Sequence, residues 1–387
     1  LLSFSIQELY KYRRSVAVFV EVAELMEAIY RITKEQKQII SKEQELLDFW
    51  NGINDAKEIY REKTVFGVNG DKIILTNEYL IEVLELWHEV VEIGIQKAIH
   101  YSDGICPTYF SYEVTDFREK GEEIEPMKFK VCPMPLFLEG STRYLKLNHE
   151  QEEKKKLYRL IKESDLYDKK LFMYKINGSL KNASIEIGRA KAFTAGWLEN
   201  ESIWLHMEYK YLLELLKSGL YEEFNEDFEK ACIPFLDPER YGRSTLENSS
   251  FIASSVNSNK KVHGKGFVAR LSGSTAEFLN IWQVMMFGQK PFRLLDGKLI
   301  LTFEPTIPKY LIDSKRMIKA KLLGKVTVIY YLSNENALIP GAYAIKSMEV
   351  LYLNGKKDVV PGNVLSHTHA VDLREGKIVS VSLKVEN

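Results

Sequence analysis

The spacing of apolar residues changes near residue 290, and this change constrains the fold more than any other feature. Before it, Ile6 to Ile29 and Lys34 to Lys63 carry apolar residues at intervals of three and four, which is typical of helices with one buried face. After Pro291, short segments alternate with period two, as in Lys325–Tyr331 and Ile378–Val385. The sequence therefore predicts a mainly α domain over residues 1–290 and a C-terminal all-β domain over 291–387.

The helical pattern is interrupted once, between Tyr101 and Leu147. This stretch contains four prolines and alternating segments, so it predicts an insertion of loops and short hairpins at about 101–147. A polar cap at Thr76 predicts a helix running to about His100. The remaining predicted helices follow the same three- and four-residue spacing: His149–Ser164, Ser202–Ser218, Tyr221–Cys232 and Ser274–Phe287.

Charge and cysteine content exclude several classes of protein. The chain has 53 Lys and Arg residues against 54 Asp and Glu, so no basic surface suggests a nucleic-acid partner. No apolar run reaches about twenty residues, so no membrane span is expected within this chain. Cys106, Cys132 and Cys232 are scattered without Cys-x-x-Cys spacing, which favours a reducing compartment, and we expect a cytoplasmic protein.

The segment LENESIWLHMEYKY, Leu198 to Tyr211, is the first that could carry chemistry. It places Glu199 and Asn200 seven and six residues before His206, a spacing that predicts a polar turn entering a helix. Carboxylate and amide groups in such a turn are suited to sugar hydroxyls. The alternative is that Glu199 or Asn200 caps the helix, and a single histidine is more often a satisfied core residue than a ligand.

The segment VHGKGFVARLSGSTAEF, Val262 to Phe278, is the second. It places Ser272, Gly273, Ser274 and Thr275 at a predicted helix start, where free backbone N–H groups and the helix dipole favour an anion such as phosphate. Taken alone, the hydroxyls of this run are more simply explained as helix caps.

In this order the two segments resemble the C-terminal half of the inverting β-glucoside phosphorylases, the cellobiose phosphorylase family (glycoside hydrolase family 94). The family has a Glu-Asn pair and a histidine at the spacing of Glu199 and His206. It also has a His-Gly pair before a Thr-Gly turn at the spacing from His263 to Ser272, with serine here replacing threonine. The segments FLEGSTRYLKL and SDLYDKKLFMYK look closest to the branch acting on β-1,2-linked glucans, including sophoro-oligosaccharide phosphorylases and the phosphorylase domain of cyclic β-1,2-glucan synthases.

The resemblance implies a fold and an activity. The fold would be the second half of an (α/α)6 barrel followed by a jelly-roll-like β-sandwich. The activity would be phosphorolysis of a β-linked gluco-oligosaccharide to α-glucose 1-phosphate, with inorganic phosphate as co-substrate and no cofactor. The family's general acid is an aspartate in an Asp-Trp-Asn-Asp loop, which this sequence lacks. We therefore expect the acid upstream of Leu1, in a missing N-terminal half, and little activity from this chain alone.

The resemblance also implies the site residues. For phosphate these are His206, Ser272 and Gly273, and the arginine that completes the family's phosphate site would lie upstream of Leu1. Arg270, two residues before Ser272, is a further candidate by position, and it could instead form a structural ion pair. For the sugar they are Glu199, Asn200, Glu201 and Glu247, although capping explains Glu201 equally well. Trp197 and Trp204 could stack on sugars, but aromatic residues beside a helix more often belong to the core.

No metal site is predicted. His367 and His369 lie two apart on a predicted strand and so share a face, but no third ligand is in range. The nearest match to the acid motif, Asp48 to Asp55, lies in a helical pattern instead of a loop.

A second hypothesis comes from a different class of protein. The chain could be a non-catalytic carbohydrate-binding domain, or a domain that controls chain length in a β-1,2-glucan synthase. The sequence leaves open the glucan linkage and length, and whether the protein forms a homodimer.

Overall fold

The computed structural model describes residues 15–37, 46–102, 104–147, 150–268 and 272–387. These residues form two compact units, the first ending at Met134 and the second beginning at Pro135. The domain boundary predicted near residue 290 lies inside the second unit, and it stays a prediction.

The described part of the first unit combines helices with two pairs of antiparallel strands. Its elements are β1 (Val16–Phe19), α1 (Val20–Gln36), α2 (Leu46–Thr64), β2 (Lys72–Leu75), α3 (Asn77–His100), β3 (Phe110–Lys120) and β4 (Glu123–Pro133). β1 pairs with β2 and β3 pairs with β4. The hydroxyl of Thr76 accepts a hydrogen bond from the backbone N–H of Tyr79 at 3.2 Å, which confirms the predicted start of α3.

The helix predicted over Ile6 to Ile29 is wrong in its central part. Val16–Phe19 is a strand, because these β-branched and aromatic side chains extend alongside Lys72–Leu75. α1 then begins at Val20, and residues 1–14 lie outside the described residues. The lookalike of the acid motif, Asp48 to Asp55, lies within α2, as its helical pattern predicts.

The stretch predicted as an insertion contains one long hairpin and one helix. β3 and β4 each span 11 residues, and they are joined at Gly121, where φ is +67°. α4 (Leu138–Leu145) replaces the expected loop, because the residues it buries follow helical spacing. These are Leu138, Ser141, Thr142 and Leu145.

The second unit begins with helices and short strands and ends with larger sheets. Its further helices are α5 (Gln151–Glu163), α6 (Leu205–Lys217), α7 (Tyr221–Ala231), α8 (Pro238–Tyr241), α9 (Ser272–Phe287) and α10 (His367–Arg374). Its short strands are β5 (Tyr167–Asp168), β6 (Met173–Tyr174), β7 (Ile203–Trp204), β8 (Phe251–Ile252) and β9 (Gly266–Phe267). Its later strands are β10 (Phe292–Leu295), β11 (Lys298–Thr302), β12 (Met317–Leu322), β13 (Val326–Leu332), β14 (Ala344–Tyr352), β15 (Lys357–Pro361), β16 (Val364–Leu365) and β17 (Ile378–Glu386).

α6 lies in the core of this unit and packs against α4, α7 and α9. Nine of its 13 residues are buried, among them Tyr209 and Leu212. The carboxylate of Glu208 is fully buried and accepts a hydrogen bond from the backbone N–H of Tyr174 at 2.9 Å. Burial raises the pKa of Glu208 well above its usual range, so this acid can be accommodated in the neutral form.

Five strands form the largest sheet of the described residues, in the order β12-β13-β17-β14-β15. β13 and β17 are parallel, and the other neighbours are antiparallel. Val326, Val328 and Tyr330 of β13 are buried in alternation, as its period of two predicts. Tyr330 donates a hydrogen bond to the carbonyl of Met286 at 2.5 Å, which ties the sheet to α9.

The C-terminal region also contains a helix where a strand is predicted. His367 and His369 lie on α10, so the predicted strand there is wrong. His367 accepts a hydrogen bond from the backbone N–H of Leu299, and its side chain thereby joins α10 to β11. Among the described residues, no group of three or more His, Cys, Asp or Glu side chains is placed to hold a metal ion. The described helices include none that combines the length and apolar character needed to cross a membrane.

Gly266 in β9 provides a test of the packing around the short strands. A Cβ atom at this position would lie 2.3 Å from Cε2 of Tyr241 and 2.8 Å from Oγ of Ser249, both buried. We expect Gly266→Ala to lower the free energy of unfolding by about 1–3 kcal/mol, as for an overpacked core. Urea denaturation measures this loss, and Gly178→Ala is the matched control because its Cβ would have only ordinary contacts, at 3.4 Å or more. Equal stability of the two variants would contradict this close packing of Tyr241 and Ser249 on β9.

Candidate functional site

A three-stranded sheet brings the two predicted segments together. β8 lies between β7 and β9, with Trp204 opposite Phe251 and Phe251 opposite Phe267. α6 begins directly after β7, and α9 begins shortly after β9. The sheet therefore places the N-terminal ends of two helices that are distant in sequence near one another.

Aromatic side chains fill the space beside this sheet. The ring centroid of Trp197 lies 5.0 Å from that of Phe251 and 4.4 Å from that of Phe267. Trp204 stacks on Phe251 at 6.1 Å with an interplanar angle of 3°. Both tryptophans thus contribute to packing, the alternative that the sequence favours.

The contact between His206 and Gly273 is the centre of the candidate site. Each is the second residue of its helix, His206 in α6 and Gly273 in α9. A Cβ atom at Gly273 would lie 2.6 Å from Nδ1 of His206, so only glycine allows the helix backbone to approach the ring this closely. The first-turn N–H groups of an α-helix lack intrahelical partners and carry partial positive charge, so this contact is suited to an anion.

Three charged groups act on the imidazole of His206. Burial lowers its pKa below the usual value, and the nearby Lys210 lowers it further. The carboxylates of Glu277 and Glu139 oppose this shift, and Oε1 of Glu277 lies 3.7 Å from Nε2 of the ring. In the unliganded site the imidazole is therefore mostly neutral at pH 7, and a bound anion would favour its protonation.

Two predicted phosphate residues are described only partly or not at all. Ser272 is the first residue of α9, but its side chain, like the whole of Arg270, lies outside the described residues. Ser274, one position after Gly273, is buried, and its hydroxyl has no hydrogen-bond partner among the described residues.

The turn that contains Glu199, Asn200 and Glu201 is held in an uncommon backbone conformation. Leu198 and Glu201 have φ values of +50° and +54°, in the left-handed region that non-glycine residues rarely adopt. Such strain costs about 1–3 kcal/mol per residue and persists only where the surroundings fix it. Here the backbone N–H of Gly196 donates to the carbonyl of Asn200 at 2.8 Å, closing the turn.

Asn177 is the residue that fixes this turn, and no pattern in the sequence identifies it. Its side chain is fully buried, and its Nδ2 donates to the carbonyl of Glu199 at 3.2 Å. Its Oδ1 accepts a hydrogen bond from the backbone N–H of Glu201 at 2.5 Å. A single amide thus bridges both sides of Asn200.

The carboxylate of Glu201 forms a buried ion pair. It lies 2.9 Å from Nζ of Lys175, and the side chains of Glu201 and Lys175 are 10% and 6% exposed. Lys175 precedes Asn177 by two residues in a stretch without regular structure, so no periodicity in the sequence points to either. As a sugar ligand, Glu201 would have to act from within this pair.

Glu199 and Asn200 have different surroundings. Glu199 accepts hydrogen bonds from Nε and Nη2 of Arg189, with Nε 2.9 Å from Oε2, and this carboxylate raises the pKa of Arg189. Asn200 is buried and donates from Nδ2 to the carbonyl of Phe193 at 2.7 Å. Its Oδ1 has no partner among the described residues, so it retains the capacity to accept a hydrogen bond.

Glu247 lies on the loop between α8 and β8. Its carboxylate pairs with Arg243 at 3.3 Å and is about half exposed. Its carbonyl accepts a hydrogen bond from the hydroxyl of Tyr241 at 2.8 Å, which anchors the loop. Between the described residues, no hydrogen bond or ion pair joins the Glu247 side chain to His206 or Gly273.

Glu277 and Lys210 also lie near His206 in the structure, and neither is predicted as a site residue from the sequence. Each lies four residues after a predicted site residue on the same helix, Glu277 after Gly273 and Lys210 after His206. Residues four apart share a helix face, so this spacing is a signal that could have identified both.

Comparison of the chain with protein-family models and with curated proteins gave no match. The geometry and electrostatics of the site therefore carry the functional argument.

The lowered pKa of His206 leads to a pH dependence. The folded state favours the neutral ring. The contribution of His206 to the free energy of unfolding is therefore complete above the usual histidine pKa of about 6.5, and it is lost as the pH falls through the lowered pKa of the folded state. We expect a pH titration of the His206 ring by NMR to give a midpoint below about 6.5, and added inorganic phosphate to raise that midpoint. A midpoint that stays unchanged even at high phosphate concentration would show that phosphate does not bind next to this ring.

The Lys175–Glu201 pair leads to a stability prediction. Lys175→Met leaves a buried carboxylate without its cation, and we expect a loss of about 3–5 kcal/mol in the free energy of unfolding. The double variant Lys175→Met/Glu201→Leu removes both charges, and we expect it to recover most of this loss. Chemical denaturation of both variants measures the difference. Equal losses would mean that packing, and not the uncompensated charge, sets the cost.

Proposed function

We propose that this chain is part of an inverting glycoside phosphorylase that cleaves a β-linked gluco-oligosaccharide with inorganic phosphate. The observation that carries this proposal is the contact of Gly273 with the ring of His206, where two helix N-termini meet. The family resemblance implies these two residues as phosphate ligands, and the contact is consistent with that role.

In this proposal the phosphate lies against His206 and the first turn of α9. The imidazole donates a hydrogen bond, the N–H groups at the start of α9 donate others, and Gly273 leaves room for close approach. Glu277 has the same sign of charge as phosphate, which opposes binding directly. It also favours the imidazolium form, so the proton that His206 gains when phosphate binds offsets part of this repulsion.

The sugar is assigned to the strained turn around Asn200. The fixed carboxylate of Glu199 and the unpartnered Oδ1 of Asn200 are acceptors for sugar hydroxyls. Glu201 supports the turn through Lys175. Ser272 and Arg270 remain proposed ligands for phosphate, and Glu247 for sugar.

The reaction proposed is a single displacement. A phosphate oxygen forms a bond to the anomeric carbon while the glycosidic C–O bond breaks, and a general acid transfers its proton to the leaving oxygen. The product is α-glucose 1-phosphate, and a β-1,2 linkage is our choice because of the family resemblance. The acid is assigned to the Asp-Trp-Asn-Asp loop of that family, a motif that these 387 residues do not contain.

We also propose the finer fold that belongs to this function. The helices before residue 290 would form the C-terminal part of an (α/α)6 barrel, and the strands after residue 291 a jelly-roll-like sandwich. After residue 291 the strands form a five-stranded sheet and a three-stranded sheet of β10, β11 and β16, and the presence of two sheets supports the sandwich assignment.

Phosphate binding tests the proposal directly. We expect inorganic phosphate to bind the wild-type chain saturably in isothermal titration calorimetry, and His206→Ala to weaken it about tenfold or more, the effect of about one charge-assisted hydrogen bond. His100→Ala, on the exposed end of α3, is the matched histidine control. Equal phosphate affinity in all three proteins would refute the assignment of His206.

Product formation separates the proposal from its alternative. Release of glucose 1-phosphate from β-1,2-, β-1,3- and β-1,4-linked glucans is measured with and without phosphate, for the chain alone and together with a polypeptide that supplies the acid loop. Phosphate-dependent release, lost about a hundredfold in His206→Ala, is the expected result. Binding of phosphate and glucan without any release would favour the non-catalytic carbohydrate-binding function instead.

A further inference from the structure

A polar cleft of about 520 Å³ lies at the C-terminal ends of α6 and α9. Leu216 near the end of α6 and Val284 near the end of α9 contribute its apolar lining. At about 1.5 Å per residue, Leu216 lies about 15 Å along α6 from His206. The cleft is therefore at the opposite end of the same two helices that carry the candidate phosphate site.

Three charged side chains line the cleft and form no ion pairs with one another. They are Lys290, Arg293 and Glu304, all of them exposed. None takes part in an ion pair within the part of the chain that the structure describes. None of the three side chains makes a hydrogen bond to another described residue either, so each retains the capacity to bind a ligand.

Two phenols, two amides and one hydroxyl complete the polar lining, those of Tyr221, Tyr343, Gln289, Asn363 and Thr306. Tyr221 and Tyr343 are partly buried, and burial together with the Glu304 carboxylate raises the pKa of both, so both stay neutral. Tyr343 donates its hydroxyl to the carbonyl of Pro305 at 2.8 Å, which fixes its ring as a wall. A phenol ring combines an apolar face with a polar edge, and a sugar ring has the same combination, so the two can pack together.

Gly288 shapes the cleft by allowing a close backbone approach. Its φ is +95°, and a Cβ atom here would lie 3.1 Å from Cβ and 3.2 Å from the carbonyl oxygen of Glu304. Next to it, Nε2 of Gln289 donates to the carbonyl of Lys217, the last residue of α6, at 2.7 Å. The ends of both helices and the Glu304 segment are thus fixed around one space.

The charge around this space is close to balanced. Glu304 offsets one of the two cations, and the C-terminal ends of α6 and α9 carry partial negative charge that offsets part of the other. The N-terminal end of α7 also borders the cleft at Tyr221, but Glu222 and Glu223 in its first turn offset its partial positive charge. The lining supplies donors and acceptors of both signs, which suits a ligand with many neutral hydroxyl groups.

We propose that this cleft binds a neutral oligosaccharide, at a site separate from the contact of His206 with Gly273. Its volume is within the range of about 300–1,000 Å³ that is usual for small-molecule sites. Arg293 and Glu304 hydrogen-bond ring hydroxyls, and Tyr221 and Tyr343 pack against the sugar faces. This inference stands on the lining of the cleft and does not require the proposed function.

The test is a calorimetric titration with neutral gluco-, manno-, galacto- and xylo-oligosaccharides of two to four sugar units. We expect at least one to bind saturably, and Arg293→Ala and Glu304→Gln each to weaken it about tenfold or more, as for a lost charge-assisted hydrogen bond. Lys298→Ala is the matched control, an exposed lysine on β11 that does not line the cleft. All three of these side chains are exposed, and circular dichroism of each variant verifies folding.

The outcomes separate this inference from the proposed function. Binding that Arg293→Ala weakens and His206→Ala does not supports the cleft, whether or not phosphate binds at His206. Binding that only His206→Ala weakens overturns the cleft and leaves the proposed function intact. Absence of saturable binding by any sugar, or Arg293-dependent binding of inorganic phosphate alone, also overturns the inference.

Discussion

The approach of one helix backbone to one imidazole ring is the constraint on which the candidate site depends. Gly273 can face His206 only because β7 and β9 both pair with β8 and each leads into a helix. The aromatic packing of Trp197 and Trp204 keeps that small sheet in place. The geometry of this contact is set by packing, so His206 and Gly273 would not need to be ordered separately if an anion bound there.

Buried charge is handled in two ways around α6. Glu201 and Lys175 neutralise one another within the turn, where neither could be removed alone without leaving the other unpaired in a low-dielectric environment. Glu208 has no cation at hydrogen-bonding distance among the described residues, and burial shifts its pKa upwards instead. The first arrangement fixes the backbone that presents Glu199 and Asn200. The second lets α6 run through the core without an uncompensated charge.

Periodicity in the sequence predicts the long elements well and the short ones poorly. α6, α9, β13 and β17 lie within a few residues of their predicted positions, because each has one clear period over many residues. The sequence predicts a helix where β1 lies and a strand where α10 lies, and both predictions are wrong. Elements of four to eight residues are too short for their own periodicity to be distinguished from that of their neighbours. In the site, only the family resemblance predicts His206 and Gly273 as a pair, and the structure brings the two residues into contact. Asn177 and Lys175 could not be predicted, because they reach the turn through tertiary contacts from an irregular segment.

The cleft and the candidate phosphate site are at opposite ends of two helices that pack along their length, which restricts how one could affect the other. α6 is buried on nearly all sides, so it can shift only together with its neighbours. A ligand in the cleft would change phosphate affinity only if it held the ends of α6 and α9 differently from the empty cleft. Gly288 and the hydrogen bond from Gln289 to Lys217 are where such a difference would be transmitted. By thermodynamic reciprocity, phosphate would then change saccharide affinity by the same factor.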